Sequence, residues 1–380
     1  MQFDFSEDQR LLRDAAKEVA QKEIAPLAAA HDQEHAIRPK VMQLLGELGF
    51  LGSYLPMTLG GAGVDFVSYI LLVEEVSKAC AATGVVISAH TSLCCNPILK
   101  FGSASQQATW LPPLAQGSKI GCFLLTEPGA GTDAGGIQTR FVDQGDHYLV
   151  QGSKLFITNG GFLGTGVLFA TSDPQLGHQG ISAFILDLQS QGVQLLKNEE
   201  KMGIRGSYTS AFSLDQVKVP KENLLGKLGQ GFEIAMHTLN GGRIGISAQA
   251  LGIGQAALDL ALAYAQERKQ FGKELARFQA IQFKLADMAM ELEAARLLTY
   301  KAAWLKAQGR DYALAGAMAK AKASEAANFC ATEALQIHGG YGYMTSYPLE
   351  RLYRDAKITE IYEGTSEVQR IVIAKHLLEG

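Results

Sequence analysis

The residue best suited to acid–base chemistry is Glu363, in EIYEGTSEVQR (360–370), set between Tyr362 and Gly364. A carboxylate held among apolar groups has a raised pKa and becomes a useful general base. The glycine beside it frees a backbone N–H for a developing oxyanion. Taken apart from its surroundings, the same residue reads as a solvated surface glutamate. Four other segments carry chemistry of a different kind. TEPGAGTDAGG (126–136) follows the apolar run 122–125, and its clustered glycines let backbone N–H groups approach an anion. Its glycines, at 129, 131, 135 and 136, break the G-x-G-x-x-G spacing, and no clear helix follows, so an ordinary turn is the other reading. KLFITNG (154–160) could lay Phe156 against a flat ring and offer the Thr158 hydroxyl, or simply close in an Asn-Gly turn. ERKQFGKEL (267–275) offers Arg268 to a pyrophosphate and Phe271 to an adenine, or is a solvated charged loop. QIHGGYGYM (336–344) permits close backbone approach to a ligand, or is a glycine helix cap; His338, with no base or metal partner in view, reads as structural.

Three kinds of sequence must position these residues. From residue 5 to about 120 the chain reads as helical: Ser6, with Asp8 and Gln9, caps a first helix to about Ile24, and FVSYILLVEEVSKAC (66–80) has helical apolar spacing after the break LGGAG (59–63). From about Gly121, short β-rich runs appear: IGCFLLTE, HYLVQGSKLFITN, GVLFATS, GISAFILDL and SAFSLDQVKVP. No helices alternate with them, so an antiparallel barrel or sandwich is expected rather than a parallel βαβ sheet. After GKLGQG (226–231) helical spacing returns, and Ile281, Leu285, Met288, Leu292, Ala295, Leu298, Ala302 and Leu305 form one stripe of a long amphipathic helix in a bundle. The expected class is α+β and multi-domain, divided at 1–120, 121–230 and 231–380.

Composition narrows the function classes. The chain has 380 residues, 47% hydrophobic and 19% charged, enough to bury a sizeable core without disulfides. Lys and Arg total 34 against 38 Asp and Glu, a net charge of −4 that argues against nucleic-acid binding. No run of about 18 uncharged apolar residues appears, so membrane insertion is not expected. The start MQFDFSEDQ has no basic head before an apolar stretch, so neither a secretory signal nor a transit peptide is expected. The cysteines at 80, 94, 95, 122 and 330 form no C-x-x-C pair, so no metal site or disulfide framework is expected. A cytoplasmic location is the simplest, with a processed form in the mitochondrial matrix as the alternative.

TEPGAGTD, KLFITNGG, DQVKVP (215–220), GGRIG, ERKQFG, QIHGGYGY and IYEGTSEVQR occur in a fixed order that resembles the acyl-CoA dehydrogenase family. The resemblance runs from FSEDQ to HLLEG, and TLNGGRIGISAQALGI with IQFKLADMAMELEAARLL is similar to the short-chain, butyryl-CoA subgroup. It implies an N-terminal helical domain, a middle β-domain, a C-terminal four-helix bundle, and a homotetramer with one FAD per subunit. It implies oxidation of an acyl-CoA to the trans-2-enoyl-CoA, with electrons passing to an electron-transfer flavoprotein. Glu363 would remove the pro-R α-proton while the β-hydride goes to flavin N5, the thioester being polarised by the glutamate N–H and a ribityl hydroxyl. Leu125, Thr126 and Thr158 match flavin-ring contacts, and Phe156 stands where many members have Trp. Arg268 and Phe271 match residues that reach the FAD of a neighbouring subunit. Gln336 and Gly340 match further dinucleotide contacts, and Thr365 lies by the cofactor. Thr132, Asn240, Arg243, Tyr362 and Gly364 match the substrate side. Asn240 replaces a usual Asp, which weakens an expected hydrogen bond to the CoA tail. Gly242 stands where isovaleryl-type relatives carry the base, which leaves Glu363 for that role. Other readings are a branched, medium-chain, cyclic or dicarboxylic acyl-CoA substrate, an oxidase, a physiological enoyl-CoA reductase, an inactive family member kept as a binding protein, and a nicotinamide dehydrogenase.

Overall fold

The computed structural model describes residues 4–379. Met1–Phe3 and Gly380, on which the readings of the start and of the HLLEG end partly fall, lie outside the described residues. Helix α1 (Glu7–Val19) begins at a reciprocal cap: Ser6 Oγ accepts from the Gln9 N–H at 3.2 Å, and Gln9 Oε1 accepts from the Ser6 N–H at 3.0 Å. It continues through a π-helical turn (Ala20–Ile24) into a short 3₁₀ turn containing Pro26. Helices α2 (Ala28–Glu34) and α3 (Pro39–Glu47) follow. Asp65 caps α4 (Phe66–Ala79), which is buried on nearly every face. Helices α5 (Ala81–Ser88) and α6 (Asn96–Phe101) are joined by a π-helical stretch (Ala89–Cys95), and α7 (Ala104–Ala115) has a second reciprocal cap at Ser103.

The middle region is one sheet of β1 (Gly121–Leu124), β2 (Arg140–Asp143), β3 (His147–Thr158), β4 (Thr165–Thr171), β5 (Ile181–Asp187), β6 (Val193–Asn198), β7 (Thr209–Pro220) and β8 (Leu224–Leu225). Its order is β6-β7-β3-β2-β4-β5-β8, with β1 also on β4. The expected all-antiparallel sheet is corrected in one respect. β1 runs parallel to β4, and β2 meets β4 in parallel at Arg140 and Thr171. The β2–β3 hairpin lies between β1 and β4 in the chain and reverses direction twice, so β1 and β4 point the same way without a crossover helix. The short strands β2, β6 and β8 carried no clear alternation in the sequence.

The remainder is helical: α8 (Gly231–Glu267), a hairpin of β9 (Lys269–Gln270) and β10 (Lys273–Glu274), then α9 (Gln279–Ala307), α10 (Ala313–His338), α11 (Leu349–Lys357) and α12 (Ser366–Glu379). Met288, Leu292, Ala295 and Ala302 of the α9 stripe are buried, while Ile281, Leu285 and Leu298 lie half-buried against the same core. That core is shared. It joins Ala16 of α1, most of α4 and α5, the middle of α8 and the inner faces of α9 and α10. Two helical runs, Ala81–Phe101 and Gly231–Glu267, are long and apolar enough by length and composition to cross a membrane, but 94% and 72% of their apolar windows are buried inside the protein. Their apolarity makes the core.

Candidate active site

Glu363 sits in the loop between α11 and α12 with φ at +51°, a left-handed conformation that a non-glycine residue adopts at a cost. The residue is half-buried, but its Oε2 is enclosed and has no hydrogen-bond partner. That oxygen rests on Gly242 of α8: a Cβ there would collide with it and would lie 3.0 Å from Leu93. Gly242 is therefore the seat of the Glu363 carboxylate. Burial pushes Glu363 up to about 7, against the opposing charges of Lys320 and Arg243. No backbone acceptor takes the Glu363 N–H among the described residues.

The neighbours of Glu363 come from three helices. Arg243 is buried, and its Nη1 donates to Asn240 Oδ1 at 2.7 Å while its Nε has no partner. The amide of Asn240 thus supplies the acceptor to Arg243. The Tyr362 hydroxyl donates to Gln249 Oε1, and Gln249 Nε2 donates to Ala81 O at 3.0 Å. Lys320 of α10 is fully buried and donates to Gly364 O at 2.7 Å. Thr365 Oγ1 accepts from the Val368 N–H at 3.3 Å, in the first turn of α12.

A second set gathers where β1 and β3 end. Leu125 is buried and Thr126 half-buried, and Thr126 O accepts from the Leu155 N–H at 2.9 Å. The register between β3 and β7 slips between Lys154 and Ile157. This bulge puts Phe156 at φ +57° and turns its ring outward, 59% exposed. Thr158, half-buried, pairs with Thr209, and Asn159 begins the turn at φ +67° with its Nδ2 donating to Val86 O and Gly121 O. The Asn-Gly turn of KLFITNG is present, and the Phe156 ring stands exposed just before it. Beneath lies a pair that the sequence reading missed. Lys154 is fully buried and donates to Leu125 O at 3.1 Å and to Glu127 Oε1 at 2.7 Å. Burial pushes Lys154 down to about 8 against the pull of Glu127. Burial alone would raise Glu127, but Lys154 and the Thr139 and Gln138 donors hold it below the usual carboxylate range.

A third set lines a cleft of about 470 Å³ that includes Arg268, Gly340, Tyr264, His338 and Tyr341. The Arg268 guanidinium lies over the Tyr341 ring at 5.4 Å, and His338 stacks on Tyr264 at 4.1 Å while its Nδ1 contacts Ala334 O. Gln336 is exposed one turn away. Phe271 stands out of the β9–β10 turn, 93% exposed. Leu125, Thr126, Phe156 and Thr158 do not line this cleft, so a single chain does not join the second and third sets in one pocket. Thr132 is exposed on its loop and takes part in neither set.

The glycines of these loops test whether a dinucleotide fits. Gly129, Gly131 and Gly340 have no positive φ, and a Cβ at any of them would meet nothing within 4 Å. The chain's own packing does not call for glycine at these three positions; an approaching ligand would. Among the described residues no group of three or more His, Cys, Asp or Glu is placed to hold a metal ion, and all five cysteines are buried and unpaired.

The family models described as acyl-CoA dehydrogenase N-terminal, middle and C-terminal domains match residues 6–118, 122–217 and 229–378. The mitochondrial short-chain specific acyl-CoA dehydrogenase of Mus musculus is 50% identical over 374 residues, 98% of this chain and 91% of the mouse protein. The structure of butyryl-CoA dehydrogenase from Megasphaera elsdenii superposes with a TM-score of 0.98 at 47% identity, covering 100% of both chains. A chain from work on the electron transferring flavoprotein of Acidaminococcus fermentans superposes at 0.99 with 50% identity, again over 100% of both chains. The fold and these matches define a flavoprotein oxidoreductase. Within that class the chain belongs to the acyl-CoA dehydrogenase family.

Proposed function

We propose that this enzyme converts a short acyl-CoA, of the butyryl-CoA kind, into its trans-2-enoyl thioester with FAD as the resident cofactor. The observation that carries the reading is the Glu363 carboxylate, enclosed and without a hydrogen-bond partner at Oε2, with its own backbone N–H free nearby. A base pushed up to about 7 is matched to abstracting a weakly acidic α-proton near neutral pH. The proton ends on Glu363. The thioester oxygen, gaining charge as the α C–H bond breaks, takes the Glu363 N–H as a donor; losing such a donor costs on the order of 10²–10³ in rate. Leu125, Thr126, Phe156, Thr158 and Thr365 would hold the flavin end, and Arg268, Phe271, Gln336 and Gly340 of a second copy the dinucleotide end. Bound FAD supplies the hydride acceptor, N5, for the hydrogen leaving Cβ. Thr132, Asn240, Arg243, Tyr362 and Gly364 face the substrate in this reading.

Beyond the seat of Glu363 the next turns of α8 are closely packed. Gly245 faces Ser88 and, 3.7 Å from a Cβ built there, the Tyr69 hydroxyl; one turn on, Gln249 is tied to Tyr362 and Ala81. The short-chain part of the reading is supported by the likeness to the short-chain specific mouse enzyme and to the butyryl-CoA dehydrogenase structure. The same reading divides the chain at 120 and 230 and assembles it as a homotetramer. It passes electrons to an electron-transfer flavoprotein, supported by the likeness to the Acidaminococcus chain. It places the protein in a bacterial cytoplasm or, as for the mouse relative, in mitochondria. Anaerobic titration of the FAD-loaded protein with acyl-CoAs from butyryl to dodecanoyl tests it. Bleaching of the flavin band is expected to be strongest with butyryl-CoA and absent in Glu363→Gln, which keeps the colour; turnover retained by that variant removes Glu363 as the base.

A further inference from the structure

Glu363 and Gly364 lie in a loop whose backbone is held from both sides by side chains. Gly364 O accepts from Lys320 Nζ at 2.7 Å and from Gln369 Nε2 at 2.8 Å, and Gln369 Nε2 also reaches Glu363 O at 3.4 Å. Lys320 lies 44 residues away on α10, fully buried, and has no carboxylate as an ion-pair partner among the described residues. An ammonium is rarely buried for packing alone, because desolvation costs more than a methylene stem returns. The carbonyl that it pins belongs to the Gly364–Thr365 peptide, at the far end of the left-handed pair Glu363–Gly364, and Gln369 reaches the peptide between the two through Glu363 O. With Gly364 φ at +91°, two successive residues hold conformations that L side chains disfavour or that need glycine.

We infer that Lys320 and Gln369 are positioning residues of the dehydrogenation. Together they fix the Glu363–Gly364 backbone so that the carboxylate stays on Gly242 and the Glu363 N–H stays open, and Lys320 also favours the ionised base. This rests on Glu363 being the base. The charged and titratable groups that face the carboxylate are Lys320 of α10, Arg243 of α8, Tyr69 of α4 and the adjoining Tyr362. Glu360 and Glu367 act on Lys320 from the flanking turns, while burial pushes Lys320 down to about 8. The two positioning residues differ in charge, so they separate by pH. Lys320→Met removes a donor and a positive charge, whereas Gln369→Met removes a donor only.

The test is the anaerobic rate of bleaching by butyryl-CoA, measured across the acid limb for the FAD-loaded wild type, Lys320→Met, Gln369→Met and Glu363→Gln. Lys320→Met should bleach more slowly at every pH and shift the limb upward by about one unit, roughly tenfold in rate below it. Gln369→Met should bleach more slowly with the limb unmoved. Either variant at the wild-type rate, or a Lys320→Met limb that stays in place, overturns the inference while leaving Glu363 as the base. Should Lys320→Met fail to fold, Gln369→Met still decides whether the loop is pinned. Bleaching of Glu363→Gln at the wild-type rate overturns the underlying function instead, whatever the other variants do.

Discussion

At the scale of single residues, the site trades stability for reactivity at Glu363. Unfolded, this carboxyl ionises near its ordinary value; folded, burial retains its proton up to about 7. Folding therefore takes up a proton between those two values, and stability falls as pH rises through that window and stays reduced above it. Glu363→Gln cannot ionise and escapes the loss. Its thermal midpoint in the absence of substrate should match the wild type at about pH 4 and exceed it at about pH 8. Calorimetry showing the same gap at both values would mean that the carboxylate is not strained by burial. Phe156 and Glu363 share a second property, a positive φ in a non-glycine residue at a place where a ligand is expected. In each case the surrounding hydrogen bonds, and not the residue's own preference, set the conformation.

At the scale of elements, the loop after β1 is held to β3 by the Lys154–Glu127 pair. Removing one member of a buried pair strands the other, at a cost of about 3–5 kcal/mol. Lys154→Met should lose unfolding free energy in that range, and adding Glu127→Gln should restore part of it. Urea titrations of the wild type and the two variants measure both, and a single mutant within about 1 kcal/mol of wild type would show that water reaches the pair. This pair also shows what the sequence conveyed. TEPGAGTD, KLFITNG and IYEGTSEVQR each read, taken alone, as a turn or a solvated segment; it was their fixed order, resembling the acyl-CoA dehydrogenase family, that singled them out. Ser6 and Gln9 announced their own cap locally. Lys154 sits in a strand alternation and Lys320 in an alanine-rich helix, where a lysine ordinarily reads as a solvated face. Their partners lie 27 and 44 residues away, beyond any local pattern. The parallel β1–β4 pairing was hidden for the same reason, because chain direction in a sheet depends on the path between strands.

At the scale of the whole molecule, Leu125, Thr126, Phe156 and Thr158 do not share one pocket with the Arg268 cleft within a chain, and Phe271 projects from its hairpin almost free of its own protein. Its turn, with φ of +50° at Phe271 and +79° at Gly272, is the tight two-residue kind that suits a hairpin's twist, so the ring is presented on a firm support. Phe271→Ala should leave the stability of a single polypeptide within about 0.5 kcal/mol, as for most exposed substitutions. In the proposed assembly, where Phe271 reaches the FAD of a second copy, it should nonetheless make the protein lose FAD on gel filtration, read as the ratio of flavin to protein absorbance. A variant that retains its flavin as firmly as wild type would remove Phe271 from the shared cofactor site. Helix α8 is the member on which all regions close. Gly231 packs against Ser182 of β5, Gly252 against Glu74 of α4, and Gly254 against Leu292 of α9. This has a consequence for synthesis. At about 5–20 residues per second, the ribosome needs about 2–7 s to deliver its 37 residues. Throughout that interval the nascent helical and sheet segments wait with their α8-facing apolar surfaces uncovered, so the growing chain is exposed to aggregation until its central strut leaves the exit tunnel.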